Sequence, residues 1–228
     1  MSVHRYCLLG LPRTGSQYIA NLLVNTVGTV DMSEPFTENT VCKLGIDIDN
    51  EVTFNSIEER IEYVFNQLNK IDSNKALVMR LFLVDSIQPY VDDIIKRLVD
   101  LNFKFLVIHR ENLEHHLLSF LIAVNTNIWH TLDNNNEPYS ADFSFEIVRM
   151  NNVIWLYDQR LAFNTMLNQL NINYSTIRYE YAIDDLEQFL GILVTSNDLY
   201  KKQIVGDPYK LIANASEVKQ FLEKLMNK

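Results

Sequence analysis

Residues 5–23 read RYCLLGLPRTGSQYIANLL, and their reading decides the fold. Residues 5–9 form a short apolar run that stops at Gly10, as a buried strand does; from Gly15 onward Tyr18, Ile19, Leu22 and Leu23 recur at helical spacing. The order is strand, tight loop, helix. Within the loop, Gly10-Leu-Pro-Arg-Thr-Gly15-Ser16 spaces its glycines as a phosphate loop does, which lets consecutive backbone N–H groups converge on an anion at a helix N-terminus. In the nucleotide loop GxxxxGK, followed by Ser or Thr, the lysine and the hydroxyl serve γ-phosphate chemistry and Mg²⁺. Here Ser16 and Gln17 occupy those two places, so a kinase or NTPase of that type is disfavoured. What remains is an anion cradle with one cation, Arg13, whose planar guanidinium stays ionised and suits tetrahedral oxyanions without a metal. The competing reading is an ordinary strand-to-helix turn carrying an exposed arginine.

Outward from that loop, strands and helices alternate. Ser56 followed by Glu59 has the form of a capping box, and Ile57, Ile61, Val64, Phe65 and Leu68 predict a helix over 56–71. Residues 75–83 read as a strand, 86–101 as a helix, 103–108 as a buried strand ending before Arg110, and 112–124 as a helix. The polar stretch 127–142 predicts a loop or lid. Beyond it come a long helix over 143–170, a last strand over 173–179, and helices over 182–193 and 216–226. This pattern implies an α/β fold with a mostly parallel central sheet covered by helices on both faces. With 228 residues, 47% of them hydrophobic, and no repeat or linker, the chain reads as one domain over 1–228.

A net charge of −9 argues against a broad nucleic-acid surface, so an anion site must be local. Cys7 and Cys42 lack metal-ligand spacing and read as reduced thiols. No signal-peptide pattern is evident, and no apolar run approaches the roughly 20 residues of a membrane span. The expectation is a soluble, cytoplasmic protein. His109, His115 and His116 lack the i, i+4 pairing of a zinc helix, so no metal is expected.

LPRTGSQYIANLL resembles the 5′-phosphosulfate loop of sulfotransferases that use 3′-phosphoadenosine-5′-phosphosulfate (PAPS). Ser33-Glu34-Pro35-Phe36 is similar to the acidic segment after the first helix in several members of that family. Arg110 at a strand end, with Ser119 nine residues later, resembles the family's 3′-phosphate motif. Tyr179-Glu180 looks like the start of its Tyr-Glu-Asp signature, although Tyr181 and Ala182 replace the next two residues. The four segments keep the family's order from Tyr6 to Leu190.

The resemblance implies a three-layer, P-loop NTPase-like domain that transfers a sulfuryl group from PAPS to a hydroxyl acceptor, a carbohydrate or other small molecule, without nucleic acid or a membrane span. Pro12, Arg13, Thr14, Gly15, Ser16 and Gln17 would surround the 5′-phosphosulfate, Arg110 and Ser119 the 3′-phosphate, and Tyr179 the adenine. Arg13 would stabilise the migrating group and Glu34 would be the general base. Arg80, read as ending a strand over 75–79, would face the acceptor. Glu180 is read as a cap or structural partner, Trp129 and His130 as acceptor-pocket residues, and Lys201 and Lys202 as a basic turn. Two rivals are a nucleotide-binding protein of the same fold without turnover, and a P-loop kinase or NTPase.

Overall fold

The structure is a computed structural model that describes residues 4–37, 54–84, 87–126, 147–195, 209, 212 and 214–227. The expectations for Cys42, Trp129, His130, the 127–142 loop and Lys201–Lys202 lie outside the described residues.

Among the described residues five strands form one parallel sheet in the order β2-β3-β1-β4-β5: β1 (Arg5–Gly10), β2 (Val30–Asp31), β3 (Leu77–Phe82), β4 (Lys104–His109) and β5 (Tyr174–Arg178). Side chains alternate across each strand, so β1 sends Tyr6 and Leu8 into one apolar layer and Cys7 and Leu9 into the other. The first layer is closed by α1 (Ser16–Val27) and α6 (Ala182–Leu190) through Ile19, Leu22, Leu23, Ala182 and Leu186. The second layer is closed by α2 (Ile57–Leu68), α3 (Val91–Asp100), α4 (Leu113–Thr126), α5 (Ile147–Gln169) and α7 (Ala215–Met226). This is the three-layer α/β arrangement expected from the alternation of elements, and no described helix is long and apolar enough to cross a membrane.

Several boundaries differ from the sequence reading, each for a local reason. Helix α3 begins at Val91, five residues after the predicted start, because Pro89 sits in a 3₁₀ turn over Gln88–Tyr90 that precedes it. Helix α6 stops at Leu190, since Gly191 adopts φ 70° and returns its N–H to the Glu187 carbonyl at 2.8 Å. Ile192 and Leu193, read as helical, are instead exposed. Strand β2 was not anticipated: two residues show no periodicity.

Strand order reverses at β1, whose neighbours are β3 on one side and β4 on the other. In open α/β sheets the crevice beyond the carboxyl end of such a strand is where ligands bind. The loop Leu11–Gly15 leaves β1 at that point.

Candidate anion-binding site

The loop is a tight, internally bonded turn. The carbonyl of Leu11 accepts both donors of Thr14, the N–H at 3.3 Å and the hydroxyl at 2.8 Å. Arg13 and Gly15 take left-handed conformations at φ 68° and 91°. At Gly15 the reason for glycine is also steric: a Cβ there would lie 2.1 Å from Cδ2 of Tyr179. The first backward helical bond of α1 runs from Ile19 N–H to Gly15 O at 3.1 Å. The N–H groups of Ser16, Gln17 and Tyr18 therefore have no helical acceptor and favour an anion.

Around this helix end the sheet assembles guanidinium groups. Arg13 donates through Nε and Nη2 to Oγ of buried Ser119, both at 3.2 Å. Arg110, delivered by the end of β4, donates to the Arg13 carbonyl at 3.2 Å and lies 4.8 Å over the ring of Tyr179. Tyr179, delivered by the end of β5, also meets Tyr18 edge-on at 6.1 Å. Burial raises the pKa of Tyr179 first of all, with Arg110 opposing. Arg160, on α5, donates to the Arg110 carbonyl at 2.8 Å and to Nε2 of His109 at 3.0 Å. Desolvation lowers the pKa of both Arg110 and Arg160. Nε of Arg110 and Nη1 of Arg160 are buried with no hydrogen-bond partner among the described residues. In a chain of net charge −9, this is a local concentration of positive charge with donors to spare.

A second cluster flanks the loop on the α1 side. Arg80 shares its sheet face with Val78 and turns toward α1. Its guanidinium donates to Oε1 of Gln17 and, at 2.9 Å, to Oγ of Ser33. It lies 3.8 Å from Asp31 and 3.7 Å from Glu34. Asp31 fixes the bend that carries Glu34 by accepting the Ser33 N–H at 2.8 Å, and Ser33 is left-handed at φ 61°. Burial raises the pKa of Glu34, Arg80 lowers it, and Asp31 raises it further.

The geometry brings Arg13, Ser119, Arg110, Gly15, Ser16 and Tyr179 together at one end of the sheet, and links Glu34 to the loop through Arg80 and Gln17. It also corrects three expectations. Both donors of Thr14 are used to close the loop, so they do not face an anion. The side-chain amide of Gln17 is engaged by Arg80, Asn21 (3.3 Å) and Asp31 (3.2 Å), which leaves only its backbone N–H to the site. Arg80 does not end its strand but lies within β3, 2% exposed, holding other protein groups. Glu180 is a structural partner of the segment before α4, accepting the N–H groups of Glu111 at 3.1 Å and Asn112 at 3.5 Å, while Asn112 itself caps the helix by accepting the His115 N–H at 2.9 Å. Sequence reasoning passed over Arg160 and the structural role of His116, whose Nε2 meets the Pro12 carbonyl at 2.8 Å. Nothing in a helical pattern marks Arg160, because its partners come from a strand end some 50 residues away. No group of three His, Cys, Asp or Glu side chains suited to a metal occurs among the described residues.

A parallel sheet covered by helices on both faces, with a tight loop leading from β1 into α1, defines the class as a three-layer α/β protein. Within it, the chain has a sulfotransferase-like fold. It aligns with the crystal structure of mouse sulfotransferase SULT7A1 complexed with PAP over 97% of this chain and 82% of that one, at 14% identity and a TM-score of 0.51. A sulfotransferase from Alicyclobacillus acidocaldarius aligns over 100% and 97% of the two chains, at 14% identity and a TM-score of 0.43. An unliganded sugar kinase from Janibacter sp. HTCC2649 aligns over 83% and 95%, at 11% identity and a TM-score of 0.38. No family model matches the chain, and no curated protein matches it in sequence.

Proposed function

We propose that this chain transfers the sulfuryl group of PAPS to a hydroxyl acceptor. The observation that carries the reading is the meeting of Arg13, Ser119, Arg110 and Tyr179 around the α1 N-terminus, with a buried Arg110 Nε that finds no partner among the described residues. This donor set fits a bisphosphorylated nucleotide. The N–H groups at the start of α1 and the guanidinium of Arg13 would face the 5′-phosphosulfate; Arg110 and Ser119 would hold the 3′-phosphate; Tyr179 would meet the adenine. The resemblance of four sequence segments to PAPS-dependent enzymes supports the same assignment. The neighbour SULT7A1, complexed with PAP, supports it at the level of the fold.

In this mechanism the carboxylate of Glu34 takes the proton of the acceptor hydroxyl. The acceptor oxygen then bonds to sulfur as the bond from sulfur to the bridging phosphate oxygen breaks, and PAP leaves with that electron pair. Arg13 and the helix end stabilise the charge that gathers on the oxygens in flight. A carboxyl pushed upward by burial is better matched to accepting a proton than an exposed one. Arg80 opposes the effect of burial by favouring the Glu34 carboxylate, and it ties Glu34 to Gln17 at the loop.

Transfer of labelled sulfate from PAPS to a panel of sugars and small alcohols, with EDTA present, tests the reading. Glu34→Gln is expected to keep PAP affinity and to lower transfer by about 100- to 10,000-fold. Tight PAP binding without transfer to any acceptor would favour the nucleotide-binding protein without turnover. Hydrolysis of ATP that requires Mg²⁺ would favour the kinase or NTPase.

A further inference from the structure

His116 lies on α4, 0% exposed, beneath the loop rather than in it. A carbonyl oxygen can only accept, so the 2.8 Å contact with Pro12 requires that Nε2 carry the hydrogen. Burial pushes the imidazole pKa down to about 3; the Pro12 bond opposes this, and Arg110, Arg160 and Arg13 lower it further. The ring is thus a neutral donor set among three cations, where a charged histidine would be a fourth.

The consequence for the loop follows from peptide planarity. In a trans peptide the C=O and the following N–H point in opposite directions, so holding the Pro12 carbonyl against α4 turns the Arg13 N–H away from it. The next carbonyl, that of Arg13, is held by Arg110 at 3.2 Å. Arg13 is therefore anchored on both sides in a left-handed conformation, φ 68°, that a non-glycine residue adopts at a cost. Its side chain is anchored as well, on Ser119, which stands at i+3 from His116 on the same face of α4. One helix face grips the backbone before Arg13 and the guanidinium of Arg13 together.

We propose that His116 is a positioning residue: its Nε2–H, through the Pro12 carbonyl, sets the backbone of Arg13 so that the guanidinium is preset over the site. The effect on ligand binding rests on the donor-nucleotide reading given above; the effect on the loop does not.

Two variants separate the parts. His116→Gln keeps an N–H near the position of Nε2, whereas His116→Leu fills the space without a donor and leaves the Pro12 carbonyl unsatisfied. Tryptic cleavage after Arg13 reads the loop directly. His116→Leu is expected to be cut there about 10- to 100-fold faster than wild type, with cleavage at other sites unchanged, and His116→Gln to resemble wild type. In calorimetry His116→Leu should bind PAP about 10- to 100-fold more weakly, and the KM for PAPS should rise with it. A change confined to the folded fraction would lower apparent kcat and leave KM alone. Should His116→Leu fail to fold, His116→Asn, too short to reach Pro12, takes its place with the same expectation. Equal cleavage at Arg13 in wild type and the donorless variant overturns the proposal. Failure of wild type to bind PAP overturns the donor-nucleotide reading instead, and the cleavage result still decides the role of His116.

Discussion

Gly15 shows how one missing carbon organises the site. Alanine there would place a methyl 2.1 Å from the Tyr179 ring at a backbone φ of 91°. The ring cannot simply retreat, since Arg110 lies over it at 4.8 Å and Tyr18 meets its edge at 6.1 Å. Gly15→Ala is therefore expected to lower stability by at least about 1–2 kcal/mol from the left-handed conformation alone, read by urea denaturation. It should also abolish PAP binding in calorimetry. Arg110→Ala removes the cation above that ring and the donor to the Arg13 carbonyl. It is expected to bind PAP and AMP with equal affinity, and wild type to prefer PAP; a preference retained in the variant would take the 3′-phosphate away from Arg110. At this scale the sequence was legible where spacing alone carried the meaning, as for the two glycines that bound the loop; Arg110 and Ser119 were marked only by the resemblance, and the structure brings each of them to Arg13. It was silent where a side chain chooses among neighbours brought from afar: Thr14 turns back on Leu11, and Gln17 turns to Arg80, 63 residues on.

Among the elements, α2 is the plainest case of local sequence determining local structure. Ser56 accepts the N–H of Glu59 at 3.2 Å, and the acidic Glu58 and Glu59 in the first turn complement the positive N-terminal end of the helix dipole. The reciprocal bond of a capping box is displaced by one residue, for Glu59 takes the N–H of Asn55 at 2.9 Å. Ser56→Ala is expected to cost about 1 kcal/mol, seen as a lower urea midpoint with an unchanged slope, and to leave PAP affinity as it was. Strands β1, β3 and β4 were legible because each is a buried apolar run, and their parallel direction followed from the alternation with helices, whereas their order in the sheet did not. Strand β2 was not legible, being two residues long and, among the described residues, paired to β3 alone. The start of α3 was misread for a related reason: Ile87 fits the helical period, but Pro89 governs the backbone next to it. Periodicity records which face is buried. It does not record where the hydrogen-bond ladder begins.

For the molecule as a whole, buried ionisable groups set the pH range in which the fold is stable. The unfolded His116 imidazole takes up a proton as pH falls through its ordinary value of 6.5, while the folded one resists until about 3. Unfolding therefore binds a proton in that window, and acidification destabilises the protein with a slope approaching about 1.4 kcal/mol per pH unit from this group. His109, lowered chiefly by burial and then by Arg160, acts in the same direction. Glu34 acts in the opposite one: its folded pKa is raised above 4.5, so just above that value the folded state holds the proton longer, and stability falls as pH rises. At the alkaline end Tyr6, pushed up to about 12 by burial, keeps a proton that the unfolded chain releases near 10, and stability again falls with rising pH. Urea midpoints measured from pH 3.5 to 7 should therefore fall steeply toward acid in wild type and less steeply in His116→Gln, which cannot titrate. The difference between the two curves should grow as the pH drops below about 6.5, because it isolates one proton. Parallel curves would mean that the imidazole under the loop is charged in the folded protein, and that the Pro12 carbonyl is held by a cation instead of by a neutral ring.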